Sequence, residues 1–228
     1  MKTLIIATPY KRNASLVSGL LEKLPGYKIV KIERREDLSV ENLSKLDPAW
    51  IFFPHWSWVI PREIHDRYEC VIFHMTDLPH GRGGSPLQNL IVRGQKETKL
   101  SALKCVAELD AGPVYRKVQL GLEGTAEEIL GRAAVLMEEM IVDIVKNRPA
   151  PIPQIGEVVE FKRRHPEDGN LFSLENLDQV YDFIRMLDAD GYPPAFLRTP
   201  NLQYEFSQAK LDADVVEAKV RIRRRVDE

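Results

Sequence analysis

The chain has 228 residues, 44% of them hydrophobic and 29% charged, a balance that excludes a disordered chain and fits an ordinary globular one. Lys plus Arg numbers 32 against 34 acidic residues, so no large positive field exists to hold nucleic acid, and no nucleic-acid partner is expected. No apolar run approaches the roughly 20 residues of a membrane span, the apolar start is too short for a secretory signal, and Cys70 and Cys105 show neither a disulfide framework nor a metal-ligand spacing; a cytoplasmic chain with no metal and no membrane partner is expected.

Leu4–Ala7 reads as a buried first strand, residues 14–24 as a helix stopped by Pro25-Gly26, and Lys28–Ile32 as a second strand. Ser39 opens another helical stretch, and Trp50–Phe53, between Pro48 and Pro54, reads as a central parallel strand. This alternation predicts an α/β fold: a Rossmann-like, twisted, mostly parallel sheet flanked by helices, with ligands at the carboxyl ends of its strands. Cys70–Phe73 is the next expected strand and runs into a polar loop at 74–86. Residues 87–92 suggest one or two helical turns, and 100–106 a strand ending in a second polar loop, Glu108–Pro113.

The clearest helix starts at Thr125, with Glu128 placed to complete a capping box, and Ile129, Ala133, Leu136, Met140 and Ile144 mark its expected buried face. Three prolines at 149, 151 and 153 set the expected boundary between a first domain, 1–150, and a small C-terminal lobe, 151–228. In the lobe, Ser173 is the expected cap of a helix carrying Leu177, Val180, Tyr181, Ile184 and Leu187. Alternation at Tyr204 and Phe206 and then from Val216 to Ile222 predicts a terminal hairpin. The basic cluster Arg221–Arg225 reads as a solvated strand face.

The two polar loops hold the groups best suited to catalysis. If the carboxyl ends of neighbouring strands meet on one edge, His74 and Asp110 come within reach of each other, and a carboxylate that orients an imidazole makes a base fit for moving a proton off an amine. The alternative is a hydrogen-bonded loop histidine and an aspartate that only starts a turn before Gly112-Pro113. His55, His65, His80 and His165 read as structural or solvent-facing. Gly81–Pro86 resembles a phosphate cradle but lacks the Walker spacing and its Lys ending, and no GxGxxG follows the first strand. Trp56-Ser57-Trp58 either faces a flat heterocycle or closes the core.

The run His74-Met75-Thr76-Asp77-Leu78-Pro79-His80-Gly81-Arg82-Gly83-Gly84-Ser85-Pro86, followed by Glu108-Leu109-Asp110-Ala111-Gly112-Pro113, resembles the folate-dependent formyltransferase family in residue type and order over roughly 48–130. The family pattern is an Asn-x-His, a Leu-Pro-x-x-Arg-Gly-x-x-Pro loop, and an Asp-x-Gly-Pro-like loop. The resemblance implies a formyltransferase catalytic domain at 1–150 in which His74 is the catalytic histidine and Asp110 the catalytic aspartate. N10-formyltetrahydrofolate would be the formyl donor, bound between Trp56, Ser57 and Trp58 on one side and Glu108, Leu109 and Gly112 on the other. Arg82 is a substrate or structural cation, and Thr76 a substrate contact and possible oxyanion donor.

Residues 161–168, Tyr181–Arg185 and Tyr192–Phe196 are similar to the region after the catalytic domain in sugar formyltransferases. The expected acceptor is therefore a small-molecule amine on a nucleotide-linked sugar, with glycinamide ribonucleotide as the alternative within the family and a non-catalytic binding homologue outside it; a homodimer is possible. The length argues against a tRNA acceptor, because the family's tRNA-contacting domain would need more chain. Two departures stand out: Ile72 where the family has Asn, and Lys99-Leu100-Ser101 where it commonly has Gly-Val-Thr.

Overall fold

The computed structural model describes residues 1–225. In chain order the first elements are β1 (Lys2–Ala7), α1 (Ala14–Lys23), β2 (Tyr27–Ile32), α2 (Val40–Leu46), β3 (Pro48–Phe53), α3 (Arg62–His65), β4 (Cys70–His74), β5 (His80–Gly83) and α4 (Pro86–Ile91). There follow β6 (Glu97–Lys104), β7 (Val114–Gly121), α5 (Ala126–Asn147), β8 (Val159–Phe161), α6 (Leu177–Arg185), β9 (Ala195–Arg198), β10 (Leu202–Asp212) and β11 (Val215–Arg224).

The expected apolar runs become the interior of a six-stranded sheet ordered β2-β1-β3-β4-β6-β7. β1 is parallel to β2 and β3, and β3 to β4, with Ile5 opposite both Val30 and Ile51. Leu4–Ala7 and Ile51–Phe53 are buried on both faces, whereas β2 is an edge whose Lys28 and Lys31 discourage further pairing. Because the chain leaves β1 for β2 on one side and adds β3 on the other, a topological switch point lies between β1 and β3. The loops 8–13 and 54–61 follow these two strands.

One pair runs the other way. β6 is antiparallel to β4, with Val71 opposite Lys104 and His74 opposite Ser101. The carboxyl end of β6 therefore lies beside the start of β4, about 10 Å from His74 at ~3.3 Å per residue. The expected meeting of two strand ends does not occur here, and Asp110 reaches His74 because the 105–113 loop turns back.

Local signals set most helix ends. The Ser39 hydroxyl accepts the Asn42 N–H at 3.2 Å to cap α2. Thr125 and Glu128 form the expected box, at 2.8 and 3.3 Å. On α5, Met137 is buried in place of Leu136, since steps of four, four, three and four from Ile129 to Ile144 follow the 3.6-residue turn more closely. α6 is capped by Asn176, which accepts the Gln179 N–H at 2.9 Å, and not by Ser173; residues 171–174 turn on themselves instead, through Leu174 N–H to Leu171 O. The terminal hairpin forms as β10-β11, joined by the short β9 behind Pro193-Pro194.

Contacts divide the chain into two compact units: one of 1–83, 98–120 and 131–160, the other of 84–97, 121–130 and 161 onward. The boundary expected at residue 150 falls inside the first unit, because Ile152 and Val114 exchange backbone hydrogen bonds of 2.7 and 2.9 Å that hold the proline segment beside β7. The second unit has its own core around Leu171, Ile184, Ala195 and Ala209. Within it, buried Arg185 is neutralised by Asp182 at 2.6 Å and donates to the carbonyls of Leu122 and Gly124.

Candidate active site

β4 delivers His74 at its last residue, on the same strand face as Ile72 and Cys70. The imidazole is buried, with Nε2 2.7 Å from the carbonyl oxygen of Gly81. A carbonyl only accepts, so Nε2 carries the proton and Nδ1 is the nitrogen turned toward Asp110. Its distance to Asp110 Oδ2 is 3.5 Å, longer than a tight hydrogen bond. The same oxygen accepts the Gly83 N–H at 2.9 Å. Asp110 sits at φ 51°, a left-handed conformation that Asp tolerates better than most side chains. The two residues expected to meet do come together, but by a different route from the one expected, because β6 is antiparallel to β4.

Both loops are held by side chains. Gly112 packs so closely that a Cβ would stand 1.8 Å from the Lys104 carbonyl oxygen, which fixes the return of the loop against β6. Arg82 donates through Nε and Nη2 to Gln154 Oε1, at 3.1 and 2.8 Å, and through Nη1 to Glu108 at 3.2 Å. Gln154 Nε2 donates in turn to the carbonyls of Asp110 and Gly112, at 2.7 and 2.8 Å. In this structure Arg82 braces loops. Thr76 is fully buried; its hydroxyl donates to Gly81 O at 3.4 Å and its carbonyl accepts from Ser101 at 2.7 Å. Asp77 is gripped by Lys117 and Lys99 at 2.5 and 2.9 Å; burial pushes its carboxyl up, but the two lysines prevail and hold it below the ordinary range. Leu109 is exposed, as is the Glu108 carboxylate outside its Arg82 contact.

The switch-point loops differ. Trp56 stands edge-on to Phe53 at 5.8 Å and to Trp58 at 4.8 Å, so the two indoles form a corner rather than a stack, and Trp56 packs on the core cluster that holds Ile60 and Cys105. Ser57 is exposed, 3.2 Å from the Tyr10 hydroxyl. Asn13 donates to Thr8 Oγ1 at 2.7 Å and to Pro54 O at 3.4 Å, but its Oδ1 is buried and unpaired. His55 Nε2 and Trp56 Nε1 are likewise buried without a hydrogen-bond partner. Burial, then the Arg12 charge, brings the His55 imidazole down to about 4. Sequence reasoning missed Asn13 and treated His55 as background; their place just after the first and third strands was the available signal.

A cavity of about 330 Å³ lies beside Trp56, Val59 and Pro61. The larger cavity, about 420 Å³, opens at the other end of the strands beside Lys2, Trp50 and Lys104, and holds no acid–base pair of the His74 kind. Among the described residues there is no group of three or more side chains fit to hold a metal, and no helix is long and apolar enough to cross a membrane.

A family model described as the methionyl-tRNA formyltransferase C-terminal domain matches residues 166–223. A solved structure of a methionyl-tRNA formyltransferase from Clostridium thermocellum is 42% identical, covers 98% of this chain and 100% of its own, and superposes with a TM-score of 0.95. The chain belongs to the folate-dependent formyltransferase family. Among curated relatives, the methionyl-tRNA formyltransferase of Bacillus cytotoxicus is 30% identical over 68% of this chain and 52% of its own length. The chain spans about half the length of the curated relatives it matches.

A sugar N-formyltransferase from a Shewanella species aligns at 16% identity and a TM-score of 0.66, over 88% of this chain and 94% of that one, a likeness of fold alone. The lobe expected to be too short for the tRNA enzymes is where their C-terminal model matches, and the Clostridium formyltransferase is covered from end to end.

Proposed function

We propose that the chain transfers a formyl group from N10-formyltetrahydrofolate to a primary amine, with His74 and Asp110 as the catalytic pair. The observation that carries this reading is their buried approach at 3.5 Å, locked by the Gly81 carbonyl and the Gly83 N–H within the family's own motif. The folate donor supplies an activated formyl carbon. The amine nitrogen bonds to that carbon as the bond from the carbon to N10 breaks, and the proton the amine sheds ends on N10 of the departing tetrahydrofolate. His74 Nδ1 is the nitrogen left to relay it, with Asp110 placed to accept a hydrogen bond from the ring while it holds the proton. Around the donor, the Trp56–Trp58 corner offers apolar surface, and the unpaired Trp56 Nε1, His55 Nε2 and Asn13 Oδ1 offer one donor, one donor or acceptor, and one acceptor. That is the mixed chemistry a heterocycle or a polar acceptor calls for. Glu108, Leu109 and Gly112, expected to line the donor's other side, belong to the 105–113 loop.

Support for an aminoacyl-tRNA acceptor comes from the C-terminal family model and the 42%-identical relative; support for a nucleotide-linked amino sugar comes from fold likeness alone. We infer that the α-amine of an aminoacyl-tRNA is the first acceptor to test. The experiment supplies formyl-labelled donor with methionyl-tRNA, UDP- and dTDP-amino sugars, and glycinamide ribonucleotide in parallel. Label on the tRNA supports this reading, label on a sugar or ribonucleotide replaces the acceptor, and label on none, with the donor bound, favours a binding homologue.

A further inference from the structure

We propose that Gln154 is a positioning residue for the His74–Asp110 pair, a role that rests on the formyl-transfer reading. Gln154 lies beyond the proline segment, more than 40 residues from Asp110, yet all four hydrogen-bonding positions of its amide are used inside the site. Its Oε1 takes two N–H groups of Arg82, and its Nε2 gives both hydrogens to the carbonyls of Asp110 and Gly112. Reversing the amide would set its NH2 against a guanidinium and its oxygen against two carbonyls, so the network admits one orientation.

Each contact bears on the pair. Arg82 stands between Gly81, whose carbonyl fixes the His74 proton, and Gly83, whose N–H holds the Asp110 carboxylate. The Asp110 carbonyl belongs to a left-handed residue in a loop that turns back from the far end of β6, rejoining it only at Pro113, whose carbonyl accepts the Lys104 N–H at 2.9 Å. One amide thus ties the strand carrying the His74 partner to the loop carrying the carboxylate. Its neighbours Pro153, Ile155 and Gly156 are exposed, so the side chain is the anchor of this segment at the site. Residue 154 sets the distance between imidazole and carboxylate while touching neither reacting group.

The test replaces Gln154 by Ala and by Glu in the full chain. Glu keeps an acceptor for Arg82 but turns oxygen toward the two carbonyls, so a role limited to bracing Arg82 would be rescued by it and the positioning role would not. Hydrogen exchange of the Gly83 amide, read without any substrate, reports the Asp110 contact independently of function. Expected are at least tenfold faster Gly83 exchange and a 10- to 100-fold lower kcat in both variants, with KM for the donor changed less than about threefold. Unchanged Gly83 exchange, or full rescue by Gln154→Glu, overturns the proposal, and so does unchanged kcat where His74→Ala is inactive. If His74→Ala keeps full activity, the role of His74 as base is what fails; if the wild-type chain transfers no formyl group, the formyl-transfer reading fails. In either case Gly83 exchange still decides whether Gln154 holds the loop.

Discussion

Two groups of loops in the first unit differ in how completely their polar atoms are used. Around His74 and Asp110, the polar side chains of Thr76, Asp77, Arg82 and Gln154 all have partners. Around β1 and β3, three buried polar atoms, on Asn13, His55 and Trp56, have none. A buried polar group without a partner costs about 1–3 kcal/mol. Such a cost is understandable where a ligand supplies the missing bonds, whereas a saturated network holds a catalytic geometry in place. The contrast separates a saturated network, which the proposed function assigns to chemistry, from a group of buried unpaired atoms, which it assigns to binding.

The sharpest way to break this contrast is to remove the base. His74→Ala is expected to lower kcat by about a thousandfold while the melting temperature moves little; a fall in donor affinity with kcat preserved would place His74 on the binding side. Gly112→Ala strikes the frame instead. A methyl group 1.8 Å from a carbonyl oxygen must displace the loop, so stability should drop by about 3 kcal/mol in denaturant unfolding and activity with it. Wild-type stability would mean that the loop yields easily and the frame is softer than argued.

The open group predicts a pH effect. Folded His55 stays neutral down to about 4, while the unfolded side chain takes a proton near 6.5, so the unfolded state binds more protons between those values. Stability should therefore fall as pH drops from about 6.5 toward 4, by up to about 3 kcal/mol. His55→Asn, which suits the left-handed φ of 56°, should flatten that slope in pH-dependent urea unfolding. An unchanged slope would assign the acid loss to other groups.

Ile72→Asn has the smallest expected effect and the opposite direction. It restores the family amide on the strand face of His74, where charge on the formyl oxygen needs a donor, and kcat should rise about tenfold despite some loss of stability. No gain would mean that a backbone N–H already fills that place.

Much of this was legible in the sequence. The buried strands Leu4–Ala7 and Trp50–Phe53 announce themselves as continuous apolar runs, and the motif spanning 74–86 and 108–113 names the pair. What was hidden is relational. Nothing local in Leu100–Lys104 says that this strand runs antiparallel to β4, because direction depends on the pairing partner and not on composition. Gln154 stood past a proline break that reads as a linker, and the Val114–Ile152 bridge and the side chain's own hydrogen bonds return it to the site. Asn176 outcompeted Ser173 as a cap through geometry that spacing alone does not rank. Nor did the lobe's residues announce the methionyl-tRNA formyltransferase C-terminal model that matches 166–223.

The central claim is that the Asp110 carboxylate makes His74 a formyl-transfer base. It is tested most directly by following formyl-labelled N10-formyltetrahydrofolate into amine product with the wild-type chain and with Asp110→Asn side by side, each first shown to be folded and to bind the donor. The account predicts transfer by the wild type and a loss of about a thousandfold in kcat for Asp110→Asn at nearly unchanged donor affinity. Equal rates for the two proteins would contradict it.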